Sequence, residues 1–117
     1  MRGQTDQGDE LRFNSEGSPN PVQAVLLAHG ACSLIDVMIG LKSREVDSAW
    51  VELRAERAES DPHVFTAVNM IYHLRGKKIP EKMVRRLVEH SHAKYCSVGA
   101  MVGKTAEISW SIEISEM

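Results

Sequence analysis

Cys32 and Cys96 are the residues of this 117-residue chain best suited to redox chemistry, and they are its only cysteines. A cysteine thiolate is a nucleophile and a metal ligand, and two thiols brought together by a fold can form a disulfide. Cys32 follows Gly30 and Ala31, small residues that would let a substrate approach the sulfur. The alternative interpretation is that Cys32 is a buried, inert core thiol, as many cysteines are.

Cys96 lies in the segment Tyr95-Cys96-Ser97, at a predicted break between two helices. The sulfur is therefore predicted to lie near the N-terminus of the second helix. Free N–H groups and the helix dipole favour a thiolate at such a place. A half-buried structural thiol beside a turn fits the same pattern, so the sequence leaves both interpretations open.

Histidines near the cysteines raise a third possibility, a metal site. His90 and His92 precede Cys96, and His29 precedes Cys32 by three residues. Imidazole and thiolate are the usual zinc ligands. The spacing matches no known zinc module, however, and a helix would place His90 and His92 on different faces. We therefore predict no metal and no other cofactor, and we keep a metal-binding protein only as an alternative.

Cys32 belongs to a predicted helix that is apolar almost all round. Asn20 is a good N-cap and Pro21 a good first helical residue, and the apolar segment continues from Val22 to Leu41. A helix apolar on every side is normally buried on every side. A chain this short can hardly surround such a helix alone, which predicts a homodimer that completes the burial.

The remaining elements are predicted from changes of period. Apolar residues alternate from Val51 to Ala55, then from Val64 to Leu74, and finally from Ala106 to Ile114, which predicts three strands. Pro80-Glu81 begins a second helix that reaches about Lys94, and residues 98–102 form a short third helix. The fold class is therefore α+β, with an antiparallel sheet packed on two main helices.

Composition excludes several classes of function. The net charge is −2 without a basic run, so the phosphate contacts that drive nucleic-acid binding are missing. Residues 1–18 form a polar arm with a possible short edge strand at Leu11 to Phe13, and residues 19–117 form the domain. The start of the chain is not a secretory signal, and Gln23, His29 and Asp36 disfavour a membrane span. We expect a cytoplasmic protein with no membrane partner.

Three segments together resemble the OsmC/Ohr family, in particular its branch of OsmC-like redox proteins. The segment from Ser18-Pro19-Asn20-Pro21 to Cys32-Ser33-Leu34-Ile35-Asp36-Val37 resembles the central helix of that family. His63-Val64-Phe65-Thr66 resembles the start of the return strand of its hairpin. Residues 87–98, with Cys96, resemble its second cysteine motif.

The resemblance implies an intertwined homodimer with central buried helices and a role in defence against oxidative stress. By the match of motifs, Cys32 would attack a small organic hydroperoxide and Cys96 would resolve the oxidised sulfur, with an external dithiol as reductant. Gln23 stands where the branch usually has Glu and would support the site. The N-terminal strands that carry the activating arginine of the family are mostly missing, so a weakened peroxidase is expected. The alternative is a non-catalytic dimer of the same fold that binds a small apolar ligand.

Overall fold

The computed structural model describes residues 1–117 and confirms the predicted α+β class. Three α-helices and a short π-helix pack on one face of a three-stranded sheet, and a separate two-stranded hairpin precedes them. In chain order the elements are β1 (Arg2–Gln4), β2 (Glu10–Arg12), α1 (Pro21–Gly40), β3 (Glu45–Arg57), β4 (Phe65–Lys77), α2 (Glu81–His90), a π-helix (Ser91–Tyr95), α3 (Ser97–Val102) and β5 (Glu107–Glu116).

Helix α1 begins where the sequence predicts, because its first residues form a capping box. The side chain of Asn20 accepts a hydrogen bond from the backbone N–H of Gln23 at 2.8 Å. The side chain of Gln23 in turn accepts one from the backbone N–H of Asn20 at 3.3 Å. Two of the orphan N–H groups at the helix start are thereby satisfied, and Pro21 has none to satisfy. This start fixes where Cys32 lies along the helix.

The sheet has the order β3-β4-β5, and its second pairing differs from the prediction. Strands β3 and β4 form the predicted antiparallel hairpin, although β3 begins earlier than predicted, at Glu45. Strand β5 pairs with β4 in parallel, from Ala67↔Glu107 to Gly76↔Glu116. The chain leaves β4 through the helical segments and returns to the same end of the sheet, a crossover that gives parallel strands. The sheet is therefore mixed, and the prediction of a wholly antiparallel sheet is wrong.

The core lies between the sheet and the helices. Val68, Met70, Tyr72 and Leu74 form the buried row of β4, as predicted. The prediction that Val64 belongs to the same row is wrong, because Val64 precedes β4 and is exposed. Val37 of helix α1 and its C-cap Leu41 belong to this core, and α2 contributes Val84 and Val88. The core thus holds α1, and with it Cys32, against β4.

Helix α1 is covered on one side only. Its buried residues are His29, Gly30, Ser33 and Val37. On the other side the side chains of Leu27, Ile35 and Ile39 are more than half exposed, at 54%, 58% and 61%. The helix is long and apolar enough to cross a membrane by length and composition alone. In the fold its covered side packs on β3, α2, the π-helix and α3.

The second helical region is irregular just before Cys96. Helix α2 ends at His90, four residues before the predicted end, and a π-helix covers Ser91–Tyr95. Such π-helical turns are rare and often occur at functional sites. The hydrogen bond from the Cys96 N–H to the Ser91 carbonyl, at 2.8 Å, closes this turn. The turn directs Cys96 back towards α1.

Candidate functional site

The fold brings Cys32 and Cys96 together. Cys32 lies in the middle of α1 and is partly accessible, whereas Cys96 is buried between the π-helix and α3. Both thiols are free, and the side chains are close enough that Cys32 raises the pKa of Cys96. Two neighbouring thiols can be joined by oxidation where their Cα atoms lie within the range that a disulfide spans.

Cys96 caps α3, as the sequence indicates, but it is not an activated thiolate. Its Sγ accepts a hydrogen bond from the backbone N–H of Gly99 at 3.2 Å. Burial has the larger effect, and together with the neighbouring Cys32 it raises the pKa of Cys96 to about 11. Of the two interpretations that the sequence leaves open, burial favours the structural thiol, because desolvation outweighs a single hydrogen bond and a dipole of one and a half turns. Cys96 is a protonated thiol near neutral pH.

A buried chain of hydrogen bonds runs beside the two cysteines. The Tyr72 hydroxyl is 2.6 Å from the Ser33 hydroxyl, which is 2.8 Å from the Ser91 hydroxyl. Ser91 donates to Asp36 Oδ2 at 2.8 Å, and His92 Nε2 lies 2.9 Å from the Tyr72 hydroxyl. The chain connects α1, β4 and the π-helix. It therefore fixes the residue next to Cys32 relative to the turn that carries Cys96.

The protons of this chain can be oriented. Because the Ser91 hydroxyl donates to the Asp36 carboxylate and has only one hydrogen, Ser33 must donate to Ser91. By the same count Tyr72 donates to Ser33, and His92 donates its Nε2 proton to Tyr72. Burial raises the pKa of Tyr72 well above its ordinary value, so its proton stays in place. All donors point towards Asp36.

His29 is the one buried polar side chain of this region without a partner. It is fully buried, and neither of its ring nitrogens makes a hydrogen bond. Burial, with the neighbouring His92, lowers the pKa of His29 below its ordinary value, so the ring is neutral. The rings of His29 and His92 meet edge to face with their centroids 6.0 Å apart. Unpaired buried polar groups are costly and rare, so this one requires an explanation.

Comparison with known proteins identifies the family of this chain. The family model described as "OsmC-like protein" matches residues 14–111. The chain belongs to the OsmC-like family. It is 33% identical over 117 residues to Protein YhfA of Escherichia coli (strain K12), a match that covers 96% of this chain and 87% of that protein.

Solved structures give the same result for the fold of this OsmC-like chain. A hypothetical protein from Aquifex aeolicus VF5 superposes with a TM-score of 0.78 at 31% identity, over 95% of this chain and 85% of the other. The organic hydroperoxide resistance protein OhrB of Bacillus subtilis superposes with a TM-score of 0.61 at 15% identity, over 96% and 89%. The second match shows a shared fold only.

The remaining sequence candidates of the OsmC-like domain are Gln23 and the two histidines that precede Cys96. Gln23 is exposed at the start of α1, and its side chain is used in the capping box. His90 is exposed, while His92 Nε2 bonds to Tyr72. No group of three His, Cys, Asp or Glu side chains is arranged to hold a metal ion. The metal alternative therefore has no support in the geometry.

The hydrogen-bonded chain around Ser33 and Tyr72 was not predicted from the sequence. The available signal was a serine within each apolar helix face: Ser33 in α1, and Ser91 on the face that continues from Val84 and Val88. A polar residue at a buried helical position needs a partner. Nothing in the local sequence indicates that the two serines bond to each other.

Acid should destabilise the fold through the buried histidines. Burial lowers the pKa of His29 and of His92 below the value of 6.5 that they have when exposed. Below about pH 6.5 the unfolded chain therefore binds more protons than the folded one, and the free energy of unfolding falls as the pH falls. Urea denaturation between about pH 8 and pH 5 measures this, above the range where carboxylates titrate. A free energy of unfolding that stays constant or rises towards pH 5 would contradict the prediction.

Proposed function

We propose that this chain reduces organic hydroperoxides through Cys32 and Cys96. The observation that carries the proposal is the pairing of a partly accessible thiol with a buried one in a chain of the OsmC-like family. A protein of the same fold, OhrB of Bacillus subtilis, is named for organic hydroperoxide resistance.

The reaction runs in three steps. The Cys32 thiolate attacks one oxygen of the O–O bond, the bond breaks, and an alcohol leaves after protonation, so Cys32 becomes a sulfenic acid. Cys96 then attacks the Cys32 sulfur and displaces the hydroxyl as water, which leaves a disulfide. An external dithiol reduces the disulfide by thiol–disulfide exchange. One hydroperoxide and one dithiol thus become an alcohol, water and an oxidised dithiol.

The order of the two thiols follows from their surroundings. Cys32 is partly accessible, so a peroxide from solution reaches it first. Cys96 is buried and its pKa is raised to about 11, which makes it a poor first nucleophile. In the second step Cys96 attacks the oxidised sulfur of Cys32, which is its neighbour. Cys32 is therefore the peroxidatic residue and Cys96 the resolving residue of the proposal.

Apolar surface beside Cys32 supports an organic substrate over hydrogen peroxide. A groove of about 550 Å³ follows the exposed side of α1 and begins at Ala31, the residue before Cys32. Its lining is apolar except at one end: Ala31, Leu34, Ile35, Met38, Ile39 and Lys42. An alkyl or aryl group gains free energy by leaving water there, which hydrogen peroxide cannot do.

The same exposed side of α1 supports a homodimer. Leu27, Ile35 and Ile39 lie four or eight residues apart and form one apolar stripe along the helix. A long exposed apolar stripe of this kind normally marks an interface. A second copy that packs its own α1 against the stripe would bury both helices and place two grooves at one interface. The partner of this proposal is thus an identical chain.

Ile35→Lys should convert this dimer into monomers. A lysine in the middle of the stripe would bury a charge without a partner at the interface, at a cost of several kcal/mol over two copies. Light scattering and sedimentation measure the mass. Trp50→Lys is the matched control, since Trp50 is 53% exposed and belongs to the opposite sheet face, where it stacks on His73. A wild-type chain that stays monomeric and folded at micromolar concentration would refute the dimer.

The compartment forms part of the same proposal. Two free thiols that must cycle through a disulfide need a supply of reducing dithiol, which the cytoplasm provides. The proposed cycle requires no metal or organic cofactor, because both redox steps occur at sulfur. The polar segment of residues 1–18 is proposed as an appendage of the domain at residues 19–117.

The test of the proposed function mixes reduced protein with cumene hydroperoxide. Peroxide loss and free thiols are followed together. One peroxide consumed per chain, with the loss of both thiols and turnover once a dithiol is added, supports the proposal. Hydrogen peroxide at the same concentration is the control substrate and should react more slowly. Wild-type protein that consumes no hydroperoxide with any dithiol would defeat the proposal.

A second candidate function is supported by the groove on α1. If the thiols prove inert, the apolar lining from Ala31 to Ile39 still suits a small apolar ligand held between two central helices. The protonated state of Cys96 is compatible with this function. The peroxide assay separates the two, because a binding protein keeps both thiols while a hydroperoxide is present.

A further inference from the structure

His29 lies beside the resolving thiol of Cys96, and the surroundings of Gly99 limit the distance between the two side chains. A methyl group added at Gly99 would lie 3.0 Å from His29 Nε2 and 3.1 Å from Cys96 Sγ. Both atoms therefore approach the same point beside the Gly99 Cα, and they are no more than about 6 Å apart. No larger side chain fits between them. The absence of a side chain at Gly99 keeps the space between the imidazole and the thiol open.

The nitrogens of His29 are free to take part in chemistry. The ring is fully buried, and neither nitrogen is engaged in a hydrogen bond. A neutral imidazole always has one nitrogen with a free lone pair. With the proton on Nδ1, that lone pair belongs to Nε2, the nitrogen beside Gly99. A histidine kept only for packing would normally pair at least one nitrogen, as His92 does with Tyr72.

We propose that His29 is the base that takes the proton from Cys96 when Cys96 attacks the oxidised Cys32. This inference rests on the proposed function and adds a catalytic residue to its second step. Cys96 needs a base because burial raises its pKa to about 11. Only a small fraction of the molecules therefore has Cys96 as a thiolate at neutral pH.

The step balances in atoms and electrons. The oxidant is the organic hydroperoxide that has converted Cys32 into a sulfenic acid. His29 Nε2 accepts the Cys96 proton as the S–S bond forms and the S–O bond of Cys32 breaks. The leaving hydroxide takes that proton from the imidazolium and departs as water, so His29 is neutral again. The two sulfurs finish as a disulfide.

The surrounding structure allows the small approach that this transfer requires. Cys96 lies between a five-residue π-helix and the six-residue α3, and its Sγ accepts one hydrogen bond, from the Gly99 N–H. The titratable groups around the thiol are His29, Cys32 and Asp36 of α1, His92 of the π-helix and Tyr72 of β4. Of these, His92 donates Nε2–H to Tyr72, and Tyr72 and Asp36 belong to the hydrogen-bonded chain. His29 differs from His92 because both of its ring nitrogens are buried and unpaired, and its Nε2 lies beside the same point at Gly99 as the Cys96 Sγ.

The experiment isolates the second step from peroxide chemistry. Reduced full-length protein is treated with dithiobis(nitrobenzoate), which should load the accessible Cys32 and release one thionitrobenzoate. Attack by Cys96 then releases a second thionitrobenzoate and closes the disulfide. Cys96→Ser should release only the first. A wild type that releases both but consumes no hydroperoxide would refute the proposed function while this assay still decides the role of His29.

His29→Gln should leave the first release unchanged and slow the second about 100-fold near pH 7, a typical contribution of a positioned general base. The difference should shrink as the pH rises, because hydroxide then ionises Cys96 without help. His90→Gln, at an exposed histidine, is the control and should behave as wild type. A normal second release in His29→Gln, or a slowing that is equal at all pH values, overturns the proposal.

If His29→Gln does not fold, Gly99→Ala tests whether His29 is the base for Cys96. The added methyl group enters the space between Nε2 and Sγ while the imidazole is retained. The second release should again be slowed at least about tenfold, with the same convergence at high pH. A second release at the wild-type rate in a folded Gly99→Ala protein would overturn the proposal as well.

Discussion

Cys32→Ser should abolish the consumption of organic hydroperoxide, and Cys96→Ser should permit a single turnover that ends at a trapped sulfenic acid. The first result is expected because Cys32 is the more accessible thiol and a serine hydroxyl is not ionised near neutral pH. The second is expected because the attack of Cys32 on the O–O bond needs no second sulfur. Stopped-flow peroxide loss and mass spectrometry with a sulfenic-acid trap measure the two outcomes.

Ser97→Ala provides a matched control, since Ser97 follows Cys96, is exposed and carries no thiol. It should turn over as the wild type does. If Cys32→Ser consumed peroxide while Cys96→Ser did not, the two roles would be reversed. If both single variants turned over normally with a dithiol, neither cysteine would be required and the proposed cycle would be wrong.

Local signals in the sequence were sufficient to place the first cysteine. Asn20 and Pro21 fix the start of α1, and the apolar segment that follows fixes its extent, so Cys32 had to lie near the middle of a core helix. The alternation in β4 identified Met70, Tyr72 and Leu74 as its inner row. Each of these inferences depends on residues within a few positions of one another, where periodicity is informative.

The direction of β5 could not be obtained in the same way. The alternation from Ala106 to Ile114 is the same whether β5 is parallel or antiparallel to β4. Direction is decided by the path of the chain through α2, the π-helix and α3, which returns it to the end of the sheet where β4 began. That path depends on how three helical segments pack, and a π-helix has no reliable sequence signal.

The protonation state of Cys96 could not be predicted from the sequence either. A thiol at a helix start can be activated by the dipole or made inert by burial, and only the packing decides which. At Cys96 burial prevails, because the Cys32 side chain and the surrounding core remove it from water. The bonds from Ser33 to Tyr72 and to Ser91 join residues 39 and 58 positions apart, so no local pattern reveals them.

The hydrogen-bonded chain and the thiols have different roles in the proposed site. The hydrogen bonds that run from His92 through Tyr72, Ser33 and Ser91 to Asp36 hold α1, β4 and the π-helix in register. His29 lies outside this chain and keeps its nitrogens unpaired. The arrangement thus separates positioning, performed by the satisfied groups, from the proton transfer that we assign to the unsatisfied one.

Oxidation to the Cys32–Cys96 disulfide should raise the melting temperature by roughly 15 °C, which corresponds to about 4 kcal/mol for a domain of this size. The bridge would close a loop of about 65 residues and so restrict the unfolded chain. Strain should offset little of this gain, because the two side chains already interact in the reduced protein. Calorimetry of reduced and oxidised protein at one concentration measures the difference. Cys96→Ser treated with the same oxidant should show no rise, and a wild type that melts lower after clean disulfide formation would show that closing the bridge distorts the core.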